Sequence, residues 1–361
     1  MSLKVVRGKT LPIGVDMGMR MLKLVQLRVV EGNLELFAAE STELPPAARE
    51  DHKERMSFLP SAIHQMMISG CFKGRQAIIA LPAEATFIHH VRTPKLSSSV
   101  DVEKAVRQEL SGKVPFDITD AIIRNLPAGE IYGDGESKQE HVVVAVSKDT
   151  LNEYLAVARK AHLDVIGVNI EACAIVECFS RLFRRNADMV KTTMFLDIGS
   201  ASTQVVLAGG TKISFARNLA IGGNTLDQAL AKARQISLAD AYDLRIKLSD
   251  GKTDSSKADQ LYKDLSVVID SLVEEITQCL RYYESVFRNQ SIERAIFVGG
   301  LAYDKGLCQL LAKRLNLPAQ IGDPLVLIKR PDDAPKHLDW RNPQPAWAVA
   351  VGLSAGSIVA A

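Results

Sequence analysis

The chain has 361 residues, 47% of them apolar and 24% charged, and its 44 Lys and Arg against 42 Asp and Glu give a formal net charge of +2. That length predicts two or more domains, and the composition is ordinary for a globular protein, so a disordered or fibrous chain is excluded. No dense basic run marks a surface for nucleic acid, so no nucleic-acid partner is expected.

The five cysteines, at positions 71, 173, 178, 279 and 308, form no C-x-x-C pair and read as reduced core residues of a cytosolic protein. His89 and His90 would face opposite sides of a strand, so no protein-ligated zinc is expected. Lys4, Arg7 and Lys9 are followed by no apolar core of signal length. The stretch Ala346 to Ala361 is broken by glycine and serine and falls short of the ~20 residues a span needs. It reads as a buried helix, and direct membrane insertion is not expected.

In chain order, strands are predicted at Ile13 to Met17, Met21 to Val30 and Leu34 to Ala39, the last after the turn Glu31-Gly32-Asn33. A linker around Pro45-Pro46 leads to a helix near 54 to 69 and a strand at Gln76 to Leu81. A strand at Thr86 to Arg92 follows. Ser97-Ser98-Ser99 then caps a helix from Val100 to Leu110, broken by Lys113-Val114-Pro115-Phe116. A polar loop at Gly129 to Gln139, a strand at His141 to Ser147 and a helix from Lys148 to Ala161 complete a β-α-β-β-α module.

Beyond it come a strand at Val165 to Val168 and a small-residue helix from Glu171 to Arg184. Met194 to Ile198, Gln204 to Ala208 and Lys212 to Ala216 then form hairpins. A helix opens at Ile221-Gly222-Gly223-Asn224-Thr225 and offers N–H groups to an anion. Residues 237 to 288 are helical except for a loop at 249 to 256, with a core stripe of Leu261, Leu265, Val268, Leu272, Ile276, Cys279 and Tyr283. Arg294 to Val298 is a strand running into Gly299-Gly300-Leu301-Ala302, and a helix spans Asp304 to Asn316. The helix Trp347 to Ala361 repeats the small-residue character of 171 to 184, and two such helices could cross closely enough to act as a hinge.

Two stretches carry the chemistry. Asp197-Ile198-Gly199-Ser200-Ala201-Ser202-Thr203 sits between two strands, where glycine admits backbone N–H groups to an anion, the hydroxyls donate and the acid calls for a cation. A lone D-x-G ends many ordinary strands. Here Asp16-Met17-Gly18-Met19-Arg20 repeats it 181 positions earlier, implying two related halves. Gly8-Lys9-Thr10 and Gly251-Lys252-Thr253 lack the leading glycine of a P-loop, and Gly133-Asp134-Gly135 lacks the third glycine of a dinucleotide fingerprint.

With two D-x-G hairpins, a G-G-x-A turn and two small-residue helices in this order, the chain resembles the actin, sugar kinase and heat-shock chaperone superfamily. Val106 to Phe116, Asp16-x-Gly18 with Lys23, Gly222-Gly223 and the ending Ala348-Val349-Ala350-Val351-Gly352-Leu353 make it similar to the bacterial type IV pilus assembly family PilM. The resemblance spans 11 to 360. It implies an α/β, actin-like (ribonuclease H-like) two-lobed fold with duplicated mixed sheets, an inserted small α+β subdomain and a central nucleotide cleft. Its subdomains would be 11–83 plus 161–190 and 340–361 (1A), 84–160 (1C), 191–220 plus 289–339 (2A) and 221–288 (2B).

The resemblance further implies ATP with Mg2+. Gly18, Met19, Arg20, Lys23, Gly199, Ser200, Ser202 and Thr203 would surround the phosphates, Gly222 and Gly223 would also bind the nucleotide, and Arg245, Gly299, Gly300 and Leu301 would lie towards the nucleoside. Asp16 and Asp197 would hold the cation through water, and Glu171 would stand near a hydrolytic water. Relatives carry small hydroxyl residues in the first loop, where this chain has Met17, Met19, Arg20 and Met21. Methionine donates no side-chain hydrogen bond, so that loop relies on its backbone and on Arg20. Relatives also carry A-E-x-x-K where this chain reads Ala241-Tyr242-Asp243-Leu244-Arg245.

The function so implied is a cytoplasmic scaffold, at most a weak ATPase, held peripherally at the inner membrane by the N-terminal cytoplasmic peptide of PilN. Arg107, Lys113, Val114, Pro115 and Phe116 would border the peptide groove. Other pilus platform proteins and a second copy of the chain complete the expected partners. The alternatives are a division protein like FtsA, which the uncharged C-terminal end disfavours, and a small-molecule kinase, for which no polyol-binding cluster accompanies either loop.

Overall fold

The structure is a computed structural model and describes residues 8–133, 136–183, 191–249, 254–288, 290–330 and 338–356. The chain opens with β1 (Lys9–Met17), β2 (Met21–Val30), β3 (Asn33–Glu43), α1 (Pro46–Glu50), α2 (His52–Ser69) and β4 (Gln76–Leu81). Next come β5 (Phe87–Pro94), α3 (Ser99–Leu110), β6 (Ala121–Gly133), β7 (Glu136–Ser147), α4 (Lys148–Lys160), β8 (Asp164–Ile170) and α5 (Glu171–Ser180). After β9 (Thr192–Ile198), β10 (Thr203–Gly209) and β11 (Lys212–Leu219) stand four helices: α6 (Gly223–Arg234), α7 (Leu238–Ser249), α8 (Ser255–Asp264) and α9 (Ser266–Val286). Then follow β12 (Ile292–Val298), α10 (Lys305–Leu315), β13 (Ala319–Ile321) and α11 (Ala348–Gly356).

Two compact units are built from these elements: Met1–Thr86, Val146–Phe183 and Asp323–Ala361 form one, and Phe87–Ala145 with Arg184–Gly322 the other. Each contains a five-stranded sheet, ordered β3-β2-β1-β4-β8 in the first and β11-β10-β9-β12-β13 in the second. In both, three strands meander antiparallel and two more join in parallel. The duplication implied by the two D-x-G stretches is therefore real, and Asp16 and Asp197 are each the penultimate residue of the first strand of their sheet.

In the first unit, α11 lies between β1 and α5. All its residues from Ala348 to Ala355 are buried, which suits a helix that is apolar all round. Small residues permit this approach: a Cβ at Gly352 would collide with the Ala174 carbonyl of α5, and one at Gly14 with the Ala350 carbonyl of α11. Ser354 ties the helix down, donating to Pro12 O at 2.8 Å and accepting from Leu27 N–H at 3.1 Å. The two small-residue helices thus cross within this unit. Residues 357–361 of the predicted terminal helix lie outside the described residues.

In the second unit, the three-stranded sheet β5-β7-β6 sits against β11 and α9. Its anchor is Glu140, wholly buried on β7. Glu140 accepts from Arg92 Nε at 3.0 Å and Tyr282 OH at 2.7 Å, and His90 Nδ1 approaches to 3.3 Å as an ion-pair contact. The His90 ring stacks on Phe215 of β11 with centroids 4.6 Å apart. Burial opposes ionisation of Glu140, but the contacts from His90, Tyr282 and Arg92 outweigh it and hold the carboxyl below the usual range.

Several details depart from the sequence reading. Within the loop expected at 129–139, residues 129–133 end β6 and 136–139 begin β7, and 134 and 135 lie outside the described residues. The expected single core helix breaks at Leu265, where Ile269, not Val268, takes the buried place in the stripe. Ser98 occupies the N-cap position of α3 without a side-chain cap bond. Cys71 is exposed, not core, whereas burial pushes Cys173 and Cys279 up to about 11 and Cys308 up to about 12, so these thiols stay protonated at neutral pH.

Two outcomes follow. Gly352→Ala forces a methyl onto a backbone carbonyl and should cost about 1–3 kcal/mol or more, whereas Gly167→Ala, whose Cβ finds nothing nearer than 3.6 Å, should be tolerated; urea denaturation of both variants checks this. Glu140→Gln should remove an acid-dependent part of stability. Because the folded-state pKa is depressed, that part is complete above the ordinary carboxylate value and disappears as pH falls through the lower folded one. Denaturation of wild type and variant from pH 7 down to pH 3 should show their difference shrinking; a constant difference would sink this account.

Candidate functional site

In the first unit, β1, β4 and β8 run parallel and end on one edge, the carboxyl edge at which open α/β sheets place ligands. Asp16 lies there, 4% exposed, and receives Lys23 Nζ on its Oδ2 at 3.1 Å. Lys23 is directly opposite Asp16 across the β1-β2 ladder, so the acid has a side-chain cation of its own. Gly18 makes the turn tight, since a Cβ there would lie 2.9 Å from Met21 O.

Met19 and Arg20 turn towards their own unit. Met19 Sδ accepts from Arg55 at 2.8 Å, and Arg20 Nε donates to Glu43 at 3.0 Å, a carboxylate shared with Arg49. Glu171 begins α5 on the same sheet edge and accepts from the Ala83 N–H at 3.1 Å.

The second unit brings three separate stretches together. The 199–203 loop folds on itself through Gly199 N–H to Ser202 O at 2.9 Å. Gly222 packs directly on it, where a Cβ would lie 2.7 Å from Ser202 N and 2.8 Å from Gly199 O. Thr203 Oγ1 donates to Ile221 O at 2.6 Å. The third stretch enters at Gly299, whose φ of 86° is left-handed. A side chain at Gly299 would strike the Asp197 carboxylate and the Ile198 carbonyl, whereas a Cβ at Gly300 would meet nothing within 4 Å. One glycine is demanded by crowding, and the next faces open space.

Two expectations change here. The first N–H groups of α6 are engaged, because Gly223 N–H donates to Gly199 O at 3.0 Å and Asn224 N–H to Ser200 O at 2.7 Å. The carbonyls of the D-x-G loop cap that helix. Arg245 is a brace: buried, it grips Asp227 through two bonds of 2.7 and 3.1 Å and lies over the Tyr242 ring at 5.5 Å. Its guanidinium lies 3.2 Å from where a Gly223 Cβ would be, and Leu301 lies 3.1 Å from it, so α6, α7 and the 299–302 turn are locked together.

Sequence reading passed over Gln204, which opposes Asp197 across the β9-β10 ladder. It also passed over Asp304, which caps α10 through Leu307 N–H and accepts from Tyr262 OH at 2.5 Å. No motif marks these residues; register and helix ends do.

In the small sheet, Val114 and Phe116 pack against the cluster of Val91, Val106 and Leu110, with Phe116 edge-on to Phe87 at 5.4 Å. Arg107 holds the same segment by donating to Ile118 O at 3.0 Å, Lys113 pairs with Glu109 at 3.3 Å, and Pro115 is exposed. Among the described residues, no three or more His, Cys, Asp or Glu gather to hold a metal, and no helix is long and apolar enough to cross a membrane.

The family model described as type IV pilus assembly protein PilM matches residues 14–357. No curated protein matches the chain. Among solved structures, the PilM-PilN type IV pilus biogenesis complex is similar with a TM-score of 0.79 and 22% identity, over 96% of this chain and 98% of that one. The ethanolamine utilization protein EutJ from Carboxydothermus hydrogenoformans follows at 0.56 and 14%, over 97% and 90%. MreB5 of Spiroplasma citri bound to ADP is similar at 0.52 and 12%, over 95% and 94%. These likenesses show an actin-like fold. By its match over nearly the whole sequence, the chain belongs to the type IV pilus assembly protein PilM family.

Proposed function

We propose that this protein is a nucleotide-binding scaffold of the type IV pilus inner-membrane platform that binds the N-terminal cytoplasmic peptide of PilN. The observation that carries the nucleotide part is the glycine interlock of the second unit. There Gly222, Gly223 and Gly299 bring the 199–203 loop, the start of α6 and the 299–302 turn against one another around Asp197, and Gly300 faces open space. Such a cradle admits a phosphate chain along backbone and a flat base beside glycine.

The residues fit ATP with Mg2+. Asp197 supplies a carboxylate for a hydrated cation, Ser200, Ser202 and Thr203 supply hydroxyls, and bound Mg2+ would offset the negative charge of the phosphates. The first corner contributes less, with Asp16 matched by Lys23 and Arg20 by Glu43. That favours binding over rapid turnover, and a scaffold that reads nucleotide over an enzyme.

The PilN part is supported by family membership and by likeness to a PilM-PilN complex. The protein would then sit on the cytoplasmic side, peripheral at the inner membrane through its partner. Pro115 and Lys113 are exposed on the small sheet, and Arg107, Val114 and Phe116 fix the segment that presents them.

Gly300→Val should weaken ATP binding at least about tenfold, equivalent to ~1.4 kcal/mol, with an unchanged melting temperature; calorimetric titration in Mg2+ checks it, and a wild type that ignores ATP would end the nucleotide reading. A synthetic PilN N-terminal peptide should bind the wild type in an anisotropy titration, with an affinity that shifts on adding Mg-ATP. Absence of binding in both conditions would remove the scaffold assignment.

A further inference from the structure

Within the second unit, His90 of β5 meets oxygen at both of its ring nitrogens. Nε2 lies 3.2 Å from the Ala216 carbonyl oxygen on β11, and Nδ1 lies 3.3 Å from Glu140 Oε1 on β7. The His90 side chain is 14% exposed and that of Glu140 not at all. Nδ1 is buried and completes no hydrogen bond of full geometry, so charge attraction to the carboxylate is its answer to burial.

A neutral imidazole has one N–H and one lone pair. With the hydrogen on Nε2, the Nδ1 lone pair points at a carboxylate; with the hydrogen on Nδ1, the Nε2 lone pair points at a carbonyl. Either tautomer sets a buried nitrogen against an oxygen with nothing to donate, which is costly away from water. The imidazolium donates to both. Its surroundings suit a flat cation, since the ring stacks on Phe215 at 4.6 Å and 23° and has Tyr282 edge-on at 5.3 Å.

The neighbouring charges are arranged around this ring. Arg92 on β5 takes the other Glu140 oxygen at 3.0 Å, and its side chain is 49% exposed, so water screens its repulsion. Arg217, two residues along β11 from Phe215, has Glu275 of α9 at 3.8 Å. Burial, with Lys113 and His90 itself, holds His89 below the ordinary histidine range. Glu140 is held below the carboxylate range, while burial pushes Tyr282 up to about 12 and Cys279, beside Arg217, up to about 11. Those last three keep one protonation state across the interval from about pH 5 to about pH 8 in which histidine changes charge.

We infer that His90 is a pH-sensitive latch that, as the imidazolium, fastens the small sheet to β11 and, on losing a proton to solvent, lets go. The hydrogen that remains stays beside the carboxylate, the stronger acceptor. The contact given up is therefore the one from Nε2 to Ala216 O, which joins the two sheets. The sheet so released carries the segment 113–116, which His89 touches at the Lys113 backbone.

The test uses the full chain with isotope-labelled histidine, the His90 ring signals being assigned by their loss in His90→Phe. Nuclear magnetic resonance should show both His90 nitrogens protonated at about pH 5 and the Nδ1–H form at about pH 8. A ring already neutral at about pH 5, or one that settles as the Nε2–H form, overturns the latch. His90→Phe can keep the stack on Phe215 but donates nothing. A proton held by the fold stabilises it while bound and ceases to once rising pH removes it. The melting-temperature gap between wild type and His90→Phe should therefore be widest at about pH 5 and shrink by roughly half by about pH 8, as charge-assisted bonds are about twice as strong as neutral ones. A gap that is flat or widens with pH, the mark of a packing residue, overturns the inference. Should the variant fail to fold, the wild-type ring signals, assigned through backbone correlations, decide it alone.

Discussion

Gly299 carries a left-handed backbone because any side chain there would run into the carboxylate of Asp197 and the carbonyl beside it. The same demand recurs at Gly222, which lies on the backbone of the 199–203 loop. Close approach of backbone to backbone is thus the constraint on which the candidate site depends. It brings together three segments from positions near 200, 222 and 300, and it turns their polar groups inward to satisfy one another. The carbonyls of Gly199 and Ser200 cap α6, so the helix is positioned by the loop it follows.

At the first corner of the duplicated pattern, charge is handled within the sheet. Asp16 is buried and answered by Lys23. A buried carboxylate without a partner is costly, and here lysine answers that cost. Asp227 with Arg245 and Glu140 with Arg92 follow the same pattern, each a buried acid met by a guanidinium. The former joins helices of the second unit, and the latter pins the small sheet to β11 and α9 through His90 and Tyr282. These pairs are framework: they fix elements that carry the exposed candidates, Gly300 and Pro115.

Membership of the PilM family and an actin-like fold are established by the extent of the match. Low identity to EutJ and MreB5 shows how little of that fold is stored in particular side chains. The first corner of this chain carries Met17, Met19 and Arg20, and the last two serve the unit's own packing and ion pairs.

The sequence by itself determined the duplicated strand pattern, because alternation of apolar residues and the D-x-G endings are local, and it determined the buried α11 helix, because small apolar residues all round leave no polar face. It also marked Gly222, Gly223 and Gly299, since paired glycines are visible in one dimension. Only tertiary structure decided what those groups do. That Arg20 meets Glu43, that Arg245 meets Asp227, that the N–H groups of Gly223 and Asn224 are taken, and that Gln204 stands opposite Asp197 are facts of register and packing. Each joins residues distant in sequence or set by strand pairing, and local periodicity carries no information about which partner a side chain or an N–H will find across the fold.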